Sequence, residues 1–228
     1  MLLLFDIDGT LLQRAAGAHR DAIHEALRVV HGVTDPEHRA GHEVAGQTDP
    51  EIVRGLLLAD GIDARSIDAR LDDVRIAACE AYARLVPGDL SAYVTPGMPE
   101  LLERLAGRDD LLLALVTGNY EPIARMKLRA AGIGRHFPSR QGGFGSDHEQ
   151  RAELPRIARR RAGGEDEPYP RRRTVVIGDT PRDIACARAD GCRVLALATG
   201  PFGADQLRDA DAVAHDPREL GDLLDALT

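Results

Sequence analysis

Three apolar runs constrain this chain more than any other feature. Leu2-Leu3-Leu4-Phe5 stops at Asp6-Ile7-Asp8-Gly9-Thr10, Leu111-Leu112-Leu113-Ala114-Leu115-Val116 at Thr117-Gly118-Asn119, and Thr174-Val175-Val176-Ile177 at Gly178-Asp179-Thr180. None of them alternates apolar with polar residues, as a strand with one wet face would, so each reads as a strand buried on both faces. Helical periodicity follows the second and third directly and the first after a short loop. Strands that alternate with helices give a mostly parallel sheet covered on both sides, an α/β, Rossmann-like architecture. Ligands of such sheets sit beyond the carboxyl ends of the strands. All three runs keep their polar residues there, so three separate segments point to one site.

A fourth strand is read at 193–197 and a short fifth at 212–214, with helices at 100–106, 122–131, 151–161, 181–189 and 218–226. Residues 13–92 differ: they carry helical patterns at 16–30, 50–60 and 64–85 and no convincing strand. The expected organisation is a core of residues 1–12 and 93–228, with residues 13–92 inserted as a helical cap domain. The linkers fall at 11–14 and at Thr95-Pro96-Gly97.

Composition narrows the function classes. Across 228 residues, 43% hydrophobic and 29% charged content describe a soluble globular chain. The net charge of -8 argues against general nucleic-acid binding but leaves room for a local basic site that meets an anionic substrate. No apolar run approaches the roughly 20 residues of a membrane span. The first run lacks the basic flank of a secretory signal. Cys79, Cys186 and Cys192 form no CxxC pair, a usage that suits a reducing cytoplasm.

Asp6 and Asp8, two residues apart on an extended strand, point to the same face. Unpaired carboxylates at the end of a buried strand are costly, so the pair implies a metal, a phosphate or catalysis. Gly9 permits a sharp turn and Thr10 adds a hydroxyl. Thr117-Gly118-Asn119 alone reads as a turn, but its place at a strand end favours a site. Asp183, three residues after Thr180, reads equally as a capping box and as support for a metal.

Taken in order, Asp6-x-Asp8-Gly9-Thr10, Thr117-Gly118-Asn119 and Gly178-Asp179-Thr180-x-x-Asp183 resemble the haloacid dehalogenase superfamily. More narrowly they resemble its phosphoglycolate-phosphatase-like branch, with a helical cap between the first and second motifs. The resemblance spans essentially the whole chain. It implies a Mg2+-dependent phosphatase acting on a small phosphorylated metabolite. Asp6 is then the nucleophile and Asp8 the general acid/base, its pKa tuned upward for both jobs. Thr117, Gly118 and Asn119 bind phosphate. Mg2+ is held by Asp6, the backbone carbonyl of Asp8 and Asp179, with Asp183 as a ligand or outer support. Gln47 and Thr48 resemble the family's substrate-facing cap loop, although Thr48-Asp49-Pro50-Glu51 is also an ordinary helix start.

The departure concerns the basic residue that the family carries, usually as Lys, between its second and third motifs. Lys127 is the only lysine among 29 basic residues. It falls inside the helix after Thr117 and reads as a surface residue. Arg151 is the best match for the missing Lys, with Arg140, Arg156 and Arg159 as competitors; a guanidinium keeps the charge and can grip phosphate through two parallel hydrogen bonds. Tyr120 is expected to face the cleft. The alternatives are a phosphomutase of the same superfamily and, from another class, a receiver-like or non-catalytic phosphate binder. His38 and His42, with Glu43 the sole third candidate, hint at a metal but read better as a solvated loop. The Arg159–Arg161 and Arg171–Arg173 runs read as solvated as well.

Overall fold

Leu2–Phe5 forms strand β1, fully buried along its length. It lies inside a six-stranded sheet between β2 (Leu112–Thr117) and β4 (Thr174–Gly178) and pairs in parallel with both. Strands β3 (Gly143–Phe144), β5 (Arg193–Leu197) and β6 (Ala212–Ala214) complete the order β3-β2-β1-β4-β5-β6, every pairing parallel. The computed structural model describes residues 1–34 and 44–227, so His38, His42 and Glu43 lie outside the described residues. The parallel α/β architecture expected from the apolar runs is the one observed. Two-residue β3 went unread because Gly143-Phe144 is too short to carry a pattern.

Alternate residues of β1 serve opposite faces, which is why the run shows no polar position. Leu3 and Phe5 pack with Leu115 and Ile177 against Leu101 of α5 (Met98–Ala106), Leu128 of α6 (Glu121–Ala130) and Leu220 of α9 (Pro217–Asp225). Leu2 and Leu4 pack with Val116 and Val176 against Leu154 of α7 (Leu154–Gly163) and Ile184 of α8 (Pro181–Asp190). Each such leucine, removed wholly from water, contributes about 1.5–3 kcal/mol. The pairing register brings Phe5 level with Leu115 and Ile177, so the polar ends of β1, β2 and β4 emerge at one edge.

Among the described residues, four more α-helices precede β2: α1 (Gly17–His31), α2 (Asp49–Ala59), α3 (Ala64–Asp68) and α4 (Leu71–Leu85). They surround their own cluster, which includes Leu27, Val53, Leu57, Val74 and Tyr82. The single helix expected over 64–85 is two. Arg70 leaves the helical conformation at φ −127, and its guanidinium donates to the carbonyl of Val30. The break lets Ile67 of α3 and Val74 of α4 both reach the cluster. Tyr120 and Ile123, at the start of α6, join that cluster too, so the helices are seated on α6 by apolar contact. The two crossings between the helical segment and the sheet run side by side: the Gln13 amide donates to Tyr93 O at 2.7 Å and the Thr95 amide to Leu11 O at 3.0 Å.

Because Ile123 is fully buried where the two parts meet, Ile123→Ala should lower unfolding stability by about 2–5 kcal/mol. In a urea titration the midpoint should fall with little change in slope. A shift no larger than that of a surface substitution would show that the helical segment is not held through α6.

Candidate active site

Asp6 continues the line of β1, its amide donating to Ile177 O at 2.9 Å. Gly9 then turns the chain back with φ +94, and its amide donates to Leu12 O at 2.7 Å. A Cβ at Gly9 would fall 2.1 Å from Asp179 Oδ2. Glycine is therefore required both for the left-handed conformation and for the approach of the two strand ends. Thr10 Oγ donates to Asp179 Oδ1 at 3.0 Å. Oxygens of Asp6, Asp179 and Asp183, all buried, lie within 4.8 Å of one another.

One guanidinium answers this charge. Arg151 is buried, with Nη2 2.9 Å from Asp6 Oδ1 and hydrogen-bonded to Asp183 Oδ1 as well. The other oxygen of Asp183 accepts from the Thr180 amide at 3.0 Å and hydroxyl at 2.7 Å, closing the capping box of α8. Asp183 thus caps the helix, as one of its two readings had it, and also binds Arg151. The competing arginines lie elsewhere. Arg159 is spent on Asp190 at 2.6 and 2.9 Å, Arg156 on Glu153 at 2.8 Å, and Arg140 is exposed in the loop before β3.

Burial pushes the carboxyl of Asp6 well above the usual carboxylate range; Arg151 opposes the shift and Asp183 and Asp8 add to it. Asp179 is raised likewise, by burial and then by Asp183 and Asp6. Its Oδ2 is buried without a hydrogen-bond partner. An all-oxygen cluster with excess negative charge and an orphaned carboxylate oxygen is the donor set that suits a hard divalent cation.

Asp8 lives in different surroundings. Its side chain is 30% exposed, towards the cavity. Lys127 Nζ lies 2.8 and 2.6 Å from its two oxygens, and Asn119 Nδ2 donates to Oδ2 at 2.9 Å. Lys127 is completely buried, which corrects its reading as a surface residue. Tyr120, Ile123, Ala124, Lys127 and Leu128 form one inward stripe of the helix and its start. The stripe drives the lysine stem inward, and Asp8 supplies the counter-charge without which a buried ammonium is strongly destabilising. The expected upward tuning of Asp8 is corrected as well. Burial pushes its carboxyl up, but the Lys127 ammonium and the hydrogen bonds from Lys127 and Asn119 hold it below the usual range.

Two further residues complete this arrangement. His19 Nδ1 lies 3.1 Å from Lys127 Nζ, and His19 Nε2 lies 3.0 Å from Asp49 Oδ2. Asp49 Oδ2 also accepts the Tyr120 amide at 2.7 Å. Sequence reasoning missed Lys127, His19 and Asp49. The signal was present for the first two: each sits on the buried stripe of an amphipathic helix, at 120/123/124/127 and at 19/22/23/26.

A cavity of about 920 Å³ lies over these groups. Asp6, Asp8, Arg151 and Asp179 from the part that carries the sheet line it, together with Gln47 and Ile23 from the helical segment. Thr117, Gly118 and Asn119 also reach it. The loop of residues 47–49 presses on the end of β2: a Cβ at Gly118 would fall 2.1 Å from Gln47 O, and the Asp49 amide donates to Gly118 O at 2.8 Å. Thr48 does not face the cavity. Its hydroxyl accepts from the Glu51 amide at 3.2 Å and donates to Glu149 O at 2.5 Å, so the helix-start reading holds for it. Tyr120 does not face the cleft either; it is buried among the helices.

Known proteins share this frame. A model of the haloacid dehalogenase-like hydrolase family matches residues 3–188, and a second hydrolase-like model matches residues 152–225. The chain is 27% identical over 212 residues to the probable phosphatase IndB of Dickeya dadantii, covering 92% of this chain and 86% of that protein. It is 27% identical over 205 residues to a phosphoglycolate phosphatase of Mesorhizobium japonicum, covering 87% of this chain and 83% of that protein. Among solved structures, a hydrolase from Pseudomonas syringae shares the fold with TM-score 0.63 at 22% identity, over 99% of this chain and 98% of that one. CbbY from Rhodobacter sphaeroides, in complex with phosphate, shares it with TM-score 0.64 at 22% identity, over 96% of each chain.

The raised carboxyls of Asp6 and Asp179 make a pH prediction. Their folded-state values lie above their unfolded ones, so their contribution is fully present below about pH 4 and is lost as pH rises through the raised values. A divalent cation competes with those protons. At 100 times its dissociation constant near pH 8, Mg2+ should stabilise the fold by about 2.7 kcal/mol. That corresponds to roughly 5–10 °C in melting temperature for a chain of this size. The shift should be much smaller at pH 5 and in Asp179→Asn. Equal shifts at both pH values, read by differential scanning fluorimetry, would contradict the cluster's role.

Proposed function

Because the chain belongs to the haloacid dehalogenase-like hydrolase family, we propose that it is a Mg2+-dependent phosphatase that hydrolyses small organic phosphate monoesters through an aspartyl-phosphate. One observation carries the reading. Two carboxylates two residues apart line one cavity in different company, Asp6 against Asp179, Asp183 and Arg151, and Asp8 against Lys127 and Asn119. Such a divergence assigns different tasks to neighbouring acids.

In this reading Asp6 is the nucleophile. Its oxygen bonds to phosphorus as the ester P–O bond breaks, and the leaving alkoxide takes a proton from Asp8. The phosphate's negative charge beside Asp8 works against Lys127 and raises the carboxyl's proton affinity, so the loaded site is where Asp8 carries that proton. In the second half Asp8 takes a proton from water, the water oxygen bonds to the same phosphorus, and Asp6 leaves as carboxylate with release of inorganic phosphate. Arg151 stays charged throughout; it opposes protonation of Asp6 and offers N–H groups to phosphoryl oxygens. Asp183 aims Arg151. Thr117 Oγ and the amides of Gly118 and Asn119 hold the remaining phosphoryl oxygens. Asp6, Asp179 and the Asp8 carbonyl are the groups that would hold Mg2+, which when bound offsets the repulsion between acids and phosphate.

Residues 13–92 act as a cap domain in this reading, and residues 1–12 and 93–228 as the catalytic core. Gln47 contributes to the substrate-facing wall. Closure excludes water from a site that must favour phosphoryl transfer over side reactions. The name of the Mesorhizobium relative, a phosphoglycolate phosphatase, supports a small phosphorylated metabolite as the substrate class. Three free cysteines suit a cytoplasmic setting.

A phosphate-release screen over a panel of phosphorylated metabolites, with Mg2+ and with a chelator, tests the assignment. Steady release should require Mg2+. Asp6→Asn should reduce it by about 10⁴-fold or more, as loss of a nucleophile does. Asp8→Asn should reduce it by about 10²–10⁴-fold, the range of acid/base catalysis. Release that survives Asp6→Asn would refute the covalent route. Interconversion of sugar phosphates without net phosphate release would point to a mutase instead.

A further inference from the structure

Asp49 and His19 belong to the helical segment, whereas Lys127 and Tyr120 belong to the part that carries the sheet. The hydrogen bonds between them cross the boundary at a buried point. Lys127 is completely enclosed, so each proton of its ammonium needs an acceptor within the protein. The oxygens of Asp8 at 2.8 and 2.6 Å take two directions, and His19 Nδ1 at 3.1 Å takes the third. An ammonium can donate to Nδ1 only if the imidazole carries its own proton on Nε2. Asp49 Oδ2, 3.0 Å from Nε2, accepts a hydrogen bond from that N–H and so favours this tautomer. Asp49 is itself held on the other side of the boundary. Its carboxylate accepts the Tyr120 amide at 2.7 Å, and its own amide donates to Gly118 O at 2.8 Å. The Tyr82 and His19 rings pack in a T-shaped contact with centroids 5.8 Å apart, which covers the imidazole on that side.

We propose that His19 and Asp49 are positioning residues for the acid/base step: they hold the chain's sole lysine against Asp8, and they do so only while the helical segment is docked. Proton transfer at the leaving oxygen is thereby tied to closure over the substrate. With the helices lifted away, the third ammonium proton loses its acceptor in the protein, and the ammonium is held by its two hydrogen bonds to Asp8 alone. Water then competes for a flexible side chain that was fixed from three directions. The kinetic part of this proposal rests on the phosphatase reading; the placement of the lysine does not.

The presence of a single lysine makes the test direct. Protein labelled with 15N-lysine carries one side-chain ammonium signal, that of Lys127. In the wild type the signal should be visible near neutral pH and protected from solvent exchange. In His19→Ala its exchange should accelerate by about 10-fold or more, the mark of a locally opened contact. His19→Asn places an amide oxygen near the Nδ1 position and should recover part of the protection. Asp49→Asn is a second variant that keeps an acceptor for Tyr120 and should loosen the ammonium less than His19→Ala.

Kinetics supply the other arm. Phenyl esters with a nitro group leave without protonation, whereas alkyl esters need the acid. In His19→Ala, kcat on an alkyl phosphate should fall about 30–100-fold, within the range of acid/base catalysis, while kcat on p-nitrophenyl phosphate falls less than about 5-fold. An unchanged ammonium signal in His19→Ala would overturn the proposal, and so would equal losses on both esters. If the wild type hydrolyses neither ester, the phosphatase reading fails, and the ammonium comparison still decides whether His19 positions the lysine.

Discussion

The repulsion among buried carboxylates at the ends of β1 and β4 is the constraint on which the rest of this structure depends. Unit charges about 4 Å apart interact by roughly 4 kcal/mol at the effective dielectric of a protein near its surface. Oxygens of Asp6, Asp179 and Asp183 lie within 4.8 Å of one another, and among the described residues Arg151 is the cation in direct contact with Asp6 and Asp183. A fold does not gather such charges for stability. It gathers them because the register of β1 against its neighbours brings the strand ends level, and because Gly9 leaves room for the Asp179 carboxylate where any side chain would strike it.

Two cations divide the work that a simpler site would give to one. Arg151 spans Asp6 and Asp183 with a fixed, permanently charged fork. Lys127 reaches Asp8 as a compact ammonium and adds a bond to His19. Arg151, which lies between the second and third motifs, thus contacts Asp6, and the single lysine contacts the other carboxylate of the Asp-x-Asp pair. This separation gives Asp6 and Asp8 opposite shifts although they are two residues apart.

The sheet was legible because a strand buried on both faces has no polar positions to hide it. The division of Ala64–Asp68 from Leu71–Leu85 was not, since Arg70 breaks the helix for a tertiary reason, its bond to Val30. Asp6, Asp8 and Asp179 announced themselves by ending apolar runs. Lys127 did not, because a long charged side chain on a helix is read as solvated unless its stripe is followed residue by residue. His19 and Asp49 were hidden further: their importance comes from contacts 108 and 71 residues away in the chain, with Lys127 and Tyr120. Thr48 was assigned to substrate by motif, and local helix-start chemistry decided its place instead.

The central claim is that the acid cluster exists to hold one divalent cation beside a carboxylate left free to attack phosphorus. Anomalous diffraction from crystals soaked in Mn2+ measures this directly. The account predicts a single strong peak within about 2.0–2.3 Å of oxygens of both Asp6 and Asp179, the spacing of oxygen-ligated ions of this size. No peak between those residues, or a peak that leaves Asp6 out of its coordination, would contradict it.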